Sequence, residues 1–167
     1  SMLATLLAGG TLVVHEKFDE AAFLDTVERE RITHTAMGPI QFQRVTDLPL
    51  ASPRDVTSMT AMMSAGSPLR EPLKRRIFEA FPCGIIELYG LTEGIITTLD
   101  PEDAEGRWSS VGRPLMGTDI AIIDDADQFV PAGVSGEIVS RGRITMPGYL
   151  NRAEASQESE YIDSDGQ

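Results

Sequence analysis

The sequence has few of the residue types on which several common functions depend. It has one cysteine and two histidines among 167 residues, and 14 basic residues against 26 acidic ones, for a formal net charge of −12. A single cysteine excludes an internal disulfide and fits a reducing compartment, so we expect a cytoplasmic protein. The shortage of basic residues argues against nucleic acid or an anionic membrane as a partner, since both require a basic surface.

The sequence also lacks an apolar run long enough to cross a bilayer. The longest, residues 2–14, is interrupted by Gly9 and Gly10 and has no basic leader of the kind that signal peptides carry. His15 and His34 have no cysteine or carboxylate companions at ligand spacing, so we interpret both as structural or exposed. A hydrophobic content of 41% and a charged content of 24% are typical of a soluble globular protein with a real core.

The first hundred residues alternate between two hydrophobic periods. Segments rich in β-branched or aliphatic residues predict buried strands, and amphipathic segments between them predict helices. The predicted strands are 11–14, 32–36, 59–63 and a strand that begins at Ile85. A helix capped by Asp19 and a second helix over 39–48 lie between them. This alternation is the signature of a parallel α/β layer.

A run of five small residues, Ser64-Ala65-Gly66-Ser67-Pro68, follows the third predicted strand. Ser67 is a good N-cap and Pro68 a good first helical residue, so we predict a helix that starts here. Its inward face would carry Leu69, Leu73 and Ile77, while residues 74–76 would face solvent. The run is either simply a cap or a flat wall of bare backbone against which a base could lie.

The last third of the chain follows a different pattern. Short apolar segments at 120–123, 129–130 and 136–139 are separated by tight turns, which indicates local antiparallel β structure. We therefore expect an α/β subdomain over 1–105 and a mostly β subdomain over 106–167. The predicted fold class is a layered α/β sheet followed by a small antiparallel β subdomain, a partial barrel.

The stretch from Ile85 to Gly94 concentrates the chemistry. An apolar strand breaks at Gly90 into a polar segment, and open α/β sheets present ligand sites at the carboxyl ends of their strands. Tyr89 offers a flat face for a base, Thr92 offers a hydroxyl for a phosphate, and Glu93 offers the oxygen ligand that Mg²⁺ prefers. These residue types together favour a nucleotide site.

The same stretch resembles a known motif. Tyr89-Gly90-Leu91-Thr92-Glu93 is similar to the Tyr-Gly-x-Thr-Glu motif of the adenylate-forming superfamily, which includes acyl-CoA synthetases, peptide-synthetase adenylation domains and firefly-type luciferases. Further matches to the superfamily follow in its order and at its spacing, at residues 64–69, 110–114, 136–138, 141–142 and 146–151. The resemblance thus covers nearly the whole chain.

The resemblance implies that the protein binds ATP, AMP and Mg²⁺ and activates a carboxylic acid as an acyl-adenylate. It implies that Tyr89 stacks on adenine, that Glu87 lies near the adenine amino group, and that Thr92 and Glu93 act in catalysis. Thr92 would contact the α-phosphate and Glu93 would bind Mg²⁺. The implied nucleotide-binding residues are Ser64, Ala65, Gly66, Ser67, Pro68, Glu87, Leu88, Tyr89, Gly90, Leu91 and Thr92.

The resemblance leaves several functions open. The leading expectation is part of an AMP-forming acyl- or aryl-acid ligase that forms a thioester with coenzyme A, and the sequence does not separate fatty acid metabolism from aromatic acids. The alternatives are a carrier-protein-loading adenylation domain, a luciferase-like enzyme, or a non-catalytic nucleotide-binding or interaction module. The superfamily's phosphate loop, its ribose-binding Asp and its catalytic Lys are absent from this chain, so we expect the isolated chain to be inactive. Exposed apolar surface could make it a homodimer.

Overall fold

The computed structural model describes residues 2–48 and 53–162. The described helices are α1 (Met2–Leu7), α2 (Glu20–Glu30), α3 (Pro39–Thr46), α4 (Glu71–Ala80) and α5 (Ala153–Glu158). The described strands are β1 (His34–Met37), β2 (Ala61–Ser64), β3 (Ile86–Gly90), β4 (Ile96–Leu99), β5 (Arg113–Pro114), β6 (Thr118–Ile123) and β7 (Glu137–Gly142). A short 3-10 helix covers Pro101–Asp103. Within these described ranges, no helix has the length and apolar character needed to cross a membrane.

The chain forms two compact units, of which the first comprises Ser1–Leu88 and Leu99–Gly112. In this unit β1 and β2 are parallel, as are β2 and β3, and the register pairs Met37 with Ser64 and Ser64 with Glu87. The carboxyl ends of these strands therefore meet at one edge. Helix α2 packs on α3 and α3 packs on α4. The core includes Val27, Phe42, Met62, Ile77 and Ile85.

The second unit comprises Tyr89–Thr98 and Arg113–Gln167. Its β4 pairs antiparallel with β5, and β6 pairs antiparallel with β7 from Thr118↔Gly142 to Ile123↔Glu137. The described part of this unit forms no closed barrel. The predicted fold class, an α/β layer followed by antiparallel β structure, is confirmed. The subdomain boundary near residue 105 stays a prediction.

Several local predictions were wrong. Residues 11–14 do not form a strand, although their composition favours one, and no neighbouring strand of the described chain pairs with them. Strands β1 and β2 each end one residue further along the chain than predicted and begin two residues later. At 129–130 the structure has only an isolated bridge between Ile123 and Phe129.

The start and the inward face of α4 also differ from the prediction. The helix does not begin at Ser67 and Pro68 but at Glu71, after an extended Arg70 and with a second proline, Pro72, in its first turn. Proline is favoured there because the first helical N–H groups have no partner within the helix. Lys74, predicted to face solvent, is 1% exposed.

Candidate nucleotide-binding site

The carboxyl end of β2 presents a buried hydroxyl followed by open backbone. Ser64 is 1% exposed, and its Oγ has no hydrogen-bond partner within the described chain. Ala65 is half-buried, and the next three residues, 66–68, are exposed. Gly66 has a φ of +89°, and a Cβ added to it would meet no atom within 4 Å. A small-residue wall with an unused hydroxyl beside it therefore lies at the strand edge where α/β proteins bind ligands.

The carboxylate of Glu87, paired in register with Ser64, belongs to a buried ion pair. Glu87 is 6% exposed and its Oε2 contacts the ammonium of Lys74 on α4. Its Oε1 accepts a hydrogen bond from the backbone N–H of Leu69 at 3.3 Å. Lys74 also donates to the carbonyl of Ser110 at 3.2 Å. Glu87 thus ties β3 to the residues that lead into α4.

In the second unit, the residues of the Tyr-Gly-x-Thr-Glu motif form the turn of a hairpin. The N–H of Leu91 donates to the carbonyl of Ile95 at 2.9 Å, and Thr92 and Glu93 occupy the turn between them. A Cβ added to Gly90 would come within 2.5 Å of that same carbonyl oxygen, so only glycine fits here. Thr92 is exposed and Tyr89 is half-buried. Such a turn offers a hydroxyl and an aromatic face to a ligand.

The carboxylate of Glu93 has one protein partner within the described chain. The hydroxyl of Tyr149 donates to Glu93 Oε1 at 2.8 Å. This hydrogen bond to a carboxylate raises the pKa of Tyr149 above its ordinary value, because it stabilises the protonated phenol. The backbone carbonyl of Glu93 accepts from the N–H of Met146 at 3.0 Å. Glu93 is therefore held by residues more than fifty positions away in the sequence.

The described residues offer a nucleotide with Mg²⁺ a buried hydroxyl, on Ser64, and a carboxylate oxygen, on Glu93. Ser64 has an unpaired buried hydroxyl, and such a group usually marks a missing partner. Within residues 2–48 and 53–162, no group of three or more His, Cys, Asp or Glu side chains could hold a metal by itself. Mg²⁺ commonly binds one or two carboxylates together with substrate phosphates, and a single Glu93 suits that mode.

The structure groups the predicted site residues by unit. It places Ser64, Glu87 and the 65–68 segment at one strand edge of the first unit, and Tyr89 to Glu93 in one hairpin of the second. Sequence reasoning missed two partners of these residues, Lys74 and Tyr149. Tyr149 lies in 146–151, one of the segments that resemble the adenylate-forming superfamily, and this resemblance is the sequence feature that could have pointed to it.

Comparison with known proteins gives concordant results. The family described as AMP-binding enzyme matches residues 1–150. Feruloyl-CoA synthase from Amycolatopsis sp is 33% identical over 158 residues, which is 93% of this chain and 32% of the relative. Indoleacetate–CoA ligase from Aromatoleum aromaticum is 33% identical over 153 residues, 90% of this chain and 30% of the relative.

Among solved structures, the amide bond synthetase McbA from Marinactinospora thermotolerans is similar with a TM-score of 0.87 and 28% identity. The match covers 97% of this chain and 36% of that one. The chain therefore spans about a third of the length of the relatives that it matches.

Proposed function

Since the chain belongs to the AMP-binding enzyme family, we propose that it carries part of the nucleotide site of a ligase that activates a carboxylic acid with ATP and transfers it to coenzyme A. The observation that carries the proposal is the hairpin at Tyr89–Glu93, which follows a strand of a parallel sheet and offers an aromatic face, a hydroxyl and a carboxylate within five residues. Activation yields an acyl-adenylate and pyrophosphate, and the thiol of coenzyme A then displaces AMP to give the thioester.

In this proposal the residues act mainly by binding and orienting the substrates. Tyr89 stacks on the adenine ring and the hydroxyl of Thr92 donates to the α-phosphate. Glu93 would hold Mg²⁺, which would supply positive charge to neutralise the phosphates. Holding two anionic reactants in line accounts for much of the rate gain available to such an enzyme. Ser64 and the backbone of 65–68 line the nucleotide, with Gly66 and Gly90 nearest the substrate carboxylate.

We propose that the acid is aromatic. Two similar relatives are named for aromatic acids, ferulate and indoleacetate, and each is 33% identical to this chain. A second candidate function is amide formation, in which an amine takes the place of the CoA thiol, and the similarity to an amide bond synthetase favours it. Both candidates share the first half-reaction, so the nucleotide roles are the same in each.

We propose that the isolated chain does not turn over and works as part of a longer polypeptide, since it spans only about a third of its relatives. We propose the cytoplasm as its compartment, because the single cysteine, Cys83, fits a reducing environment. A homodimer of the chain is proposed from exposed apolar side chains such as Leu7 and Leu150, each 88% exposed. A monomeric sedimentation profile would contradict the dimer, and acyl-CoA formation by the purified chain would contradict the lack of turnover.

The proposed nucleotide site is tested by calorimetric titration with two non-hydrolysable acyl-adenylate analogues, one carrying a feruloyl group and one a dodecanoyl group. We expect the feruloyl analogue to bind more tightly. Tyr89→Ala should weaken binding of both by about tenfold or more, because one base–aromatic stack contributes about 1–3 kcal/mol. Tyr161→Ala is the matched control, since this tyrosine also lies in the second unit and its hydroxyl donates to the backbone carbonyl of Asp127. If neither analogue binds, or if Tyr89→Ala binds as the unaltered chain does, the proposed site is wrong.

A further inference from the structure

The hydrogen bond from the Tyr149 hydroxyl to Glu93 Oε1, 2.8 Å long, occupies one oxygen of a carboxylate whose other oxygen has no partner in the described chain. We propose that Tyr149 is a positioning residue for Glu93, which holds this carboxylate so that its second oxygen can bind the divalent cation accompanying the nucleotide. This inference rests on the proposed function, since it requires Glu93 to bind the metal.

The backbone around Glu93 is fixed against the segment that carries Tyr149. The N–H of Met146 donates to the carbonyl of Glu93 at 3.0 Å. The next residue, Gly94, has a φ of +126°, and a Cβ added there would lie 2.5 Å from the Cα of Thr145. The two segments therefore approach as closely as a glycine allows. With the backbone of Glu93 held in this way, the orientation of its side chain is the remaining freedom, and the Tyr149 hydroxyl restricts it.

Tyr149 is itself anchored through its backbone, by a residue of α5. Its backbone N–H donates to Oγ of Ser156 on α5 at 2.8 Å, and that Oγ donates to the carbonyl of Arg152 at 3.0 Å. A Cβ added to Gly148 would lie 3.0 Å from the same Oγ. The tyrosine backbone is thus placed by α5 independently of Glu93. A residue that is anchored elsewhere can orient the carboxylate rather than merely follow it.

The chemistry of the pair suits a metal ligand. A hydrogen bond from a neutral phenol leaves the carboxylate its charge, whereas an ion pair with Lys or Arg would compete with the cation for it. Partners that hydrogen-bond to metal ligands typically change metal affinity by 10–100-fold when removed. Both side chains here are partly exposed, so we expect about tenfold, the lower end of that range.

The experiment measures how strongly Mg²⁺ supports nucleotide binding. The Kd of ATP for the 167-residue chain is determined by calorimetry in excess Mg²⁺ and in EDTA. The Kd in EDTA divided by the Kd in Mg²⁺ isolates the contribution of the metal, and we call this quotient the ratio. Tyr149→Phe removes a single oxygen and should lower this ratio about tenfold while leaving the Kd in EDTA unchanged. Tyr161→Phe removes the same atom from a tyrosine whose hydroxyl donates to the backbone carbonyl of Asp127, and it should leave the ratio unchanged. A general loosening of the fold would raise both Kd values by the same factor and would not alter the ratio.

Glu93→Gln separates failure of this inference from failure of the proposed function. If Glu93→Gln lowers the ratio and Tyr149→Phe leaves it unchanged or raises it, the positioning role is overturned and the metal role of Glu93 stands. If the unaltered chain shows no effect of Mg²⁺ on ATP binding, or if Glu93→Gln leaves the ratio unchanged, the metal role is overturned and the positioning role with it.

Discussion

The buried pair of Lys74 and Glu87 predicts a specific pattern of stability changes. Both side chains are nearly inaccessible, and both belong to the first unit. Lys74→Met leaves the Glu87 carboxylate buried without a cation, and Glu87→Gln leaves the Lys74 ammonium buried without an anion. The double variant removes both charges together. The two single variants should therefore each be less stable than the double variant.

The magnitudes follow from the contacts. Removing one member of a buried ion pair costs about 3–5 kcal/mol, because the remaining charge is left desolvated and uncompensated. In the double variant, the side-chain oxygen of glutamine at position 87 can still accept from the N–H of Leu69, so the groups left without a partner are the carbonyl of Ser110 and the side-chain NH2 of that glutamine. A polar group left without a partner costs about 1–3 kcal/mol when it is fully buried, and Ser110 is only half-buried. The coupling energy between the two substitutions is thus expected to be several kcal/mol.

Urea unfolding followed by the fluorescence of Trp108 measures these changes, because Trp108 lies in the first unit together with Lys74 and Glu87. Trp108 is the only tryptophan in the sequence and packs edge-on against Phe78 of α4, with ring centroids 5.1 Å apart. Arg76→Met is the control. It removes a cation from the same helix, but the ion pair of Arg76 with Asp47 is solvent-exposed. It should change stability much less than either buried single variant.

The reasoning would be refuted if the two single substitutions had additive effects. It would also fail if the double variant were as unstable as Lys74→Met, because the cost would then come from lost packing rather than from an uncompensated charge. Lys74 has a long apolar stem, and methionine preserves most of its volume, so a packing defect alone should be small.

Two further predictions concern packing in the second unit and charge in the first. Gly136→Ala should destabilise the second unit by about 1–3 kcal/mol, because the new Cβ would lie 2.1 Å from the carbonyl oxygen of Ile123; unchanged amide exchange in β6 and β7 would contradict this. Hydrogen bonds from the side chain of Gln43 and, to a lesser extent, from that of Arg76 hold the pKa of Asp47 below its ordinary value. The stability that these bonds contribute is therefore present above the pKa of Asp47 in the unfolded chain, and it is lost as the pH falls through the pKa of Asp47 in the folded chain. Gln43→Ala should raise the pKa of Asp47 more than Arg76→Met does, and a carboxyl NMR titration that shows no rise would contradict the assignment.

The sequence predicted elements where local signals agreed with tertiary contacts. Asp19 was predicted as a helix cap, and it accepts a hydrogen bond from the N–H of Ala22 at 2.8 Å. The start of α4 was mispredicted because two prolines competed for it. Ser67-Pro68 is the better local signal, but Pro72 lies in the observed first turn. Residues 11–14 show the same limit for strands, since β propensity produces a strand only where a neighbour supplies the hydrogen bonds.

The burial of Lys74 lay beyond the reach of sequence patterns. Leu73 and Ile77 correctly marked the inward face of α4, and Lys74 lies next to Leu73 at the edge of that face. A lysine at such an edge is normally solvated, and only a carboxylate thirteen residues further on makes its burial tolerable. The contact between Tyr149 and Glu93 spans a still longer separation. Short motifs located the candidate site residues, but the residues that support them come from other parts of the fold.

The polar site residues divide into those that the fold already uses and those that it leaves available. Glu87 is the first kind, because Lys74 and the N–H of Leu69 occupy both of its oxygens. Substituting it therefore disturbs the fold, and lost ligand binding by such a variant would say little about direct contact. Ser64 is the second kind: its buried hydroxyl has no partner in the described chain, so Ser64→Ala removes an unpaired polar atom and should not destabilise the free protein. A loss of nucleotide affinity in Ser64→Ala, at unchanged unfolding free energy, would thus report on the ligand itself, whereas unchanged affinity would remove Ser64 from the site.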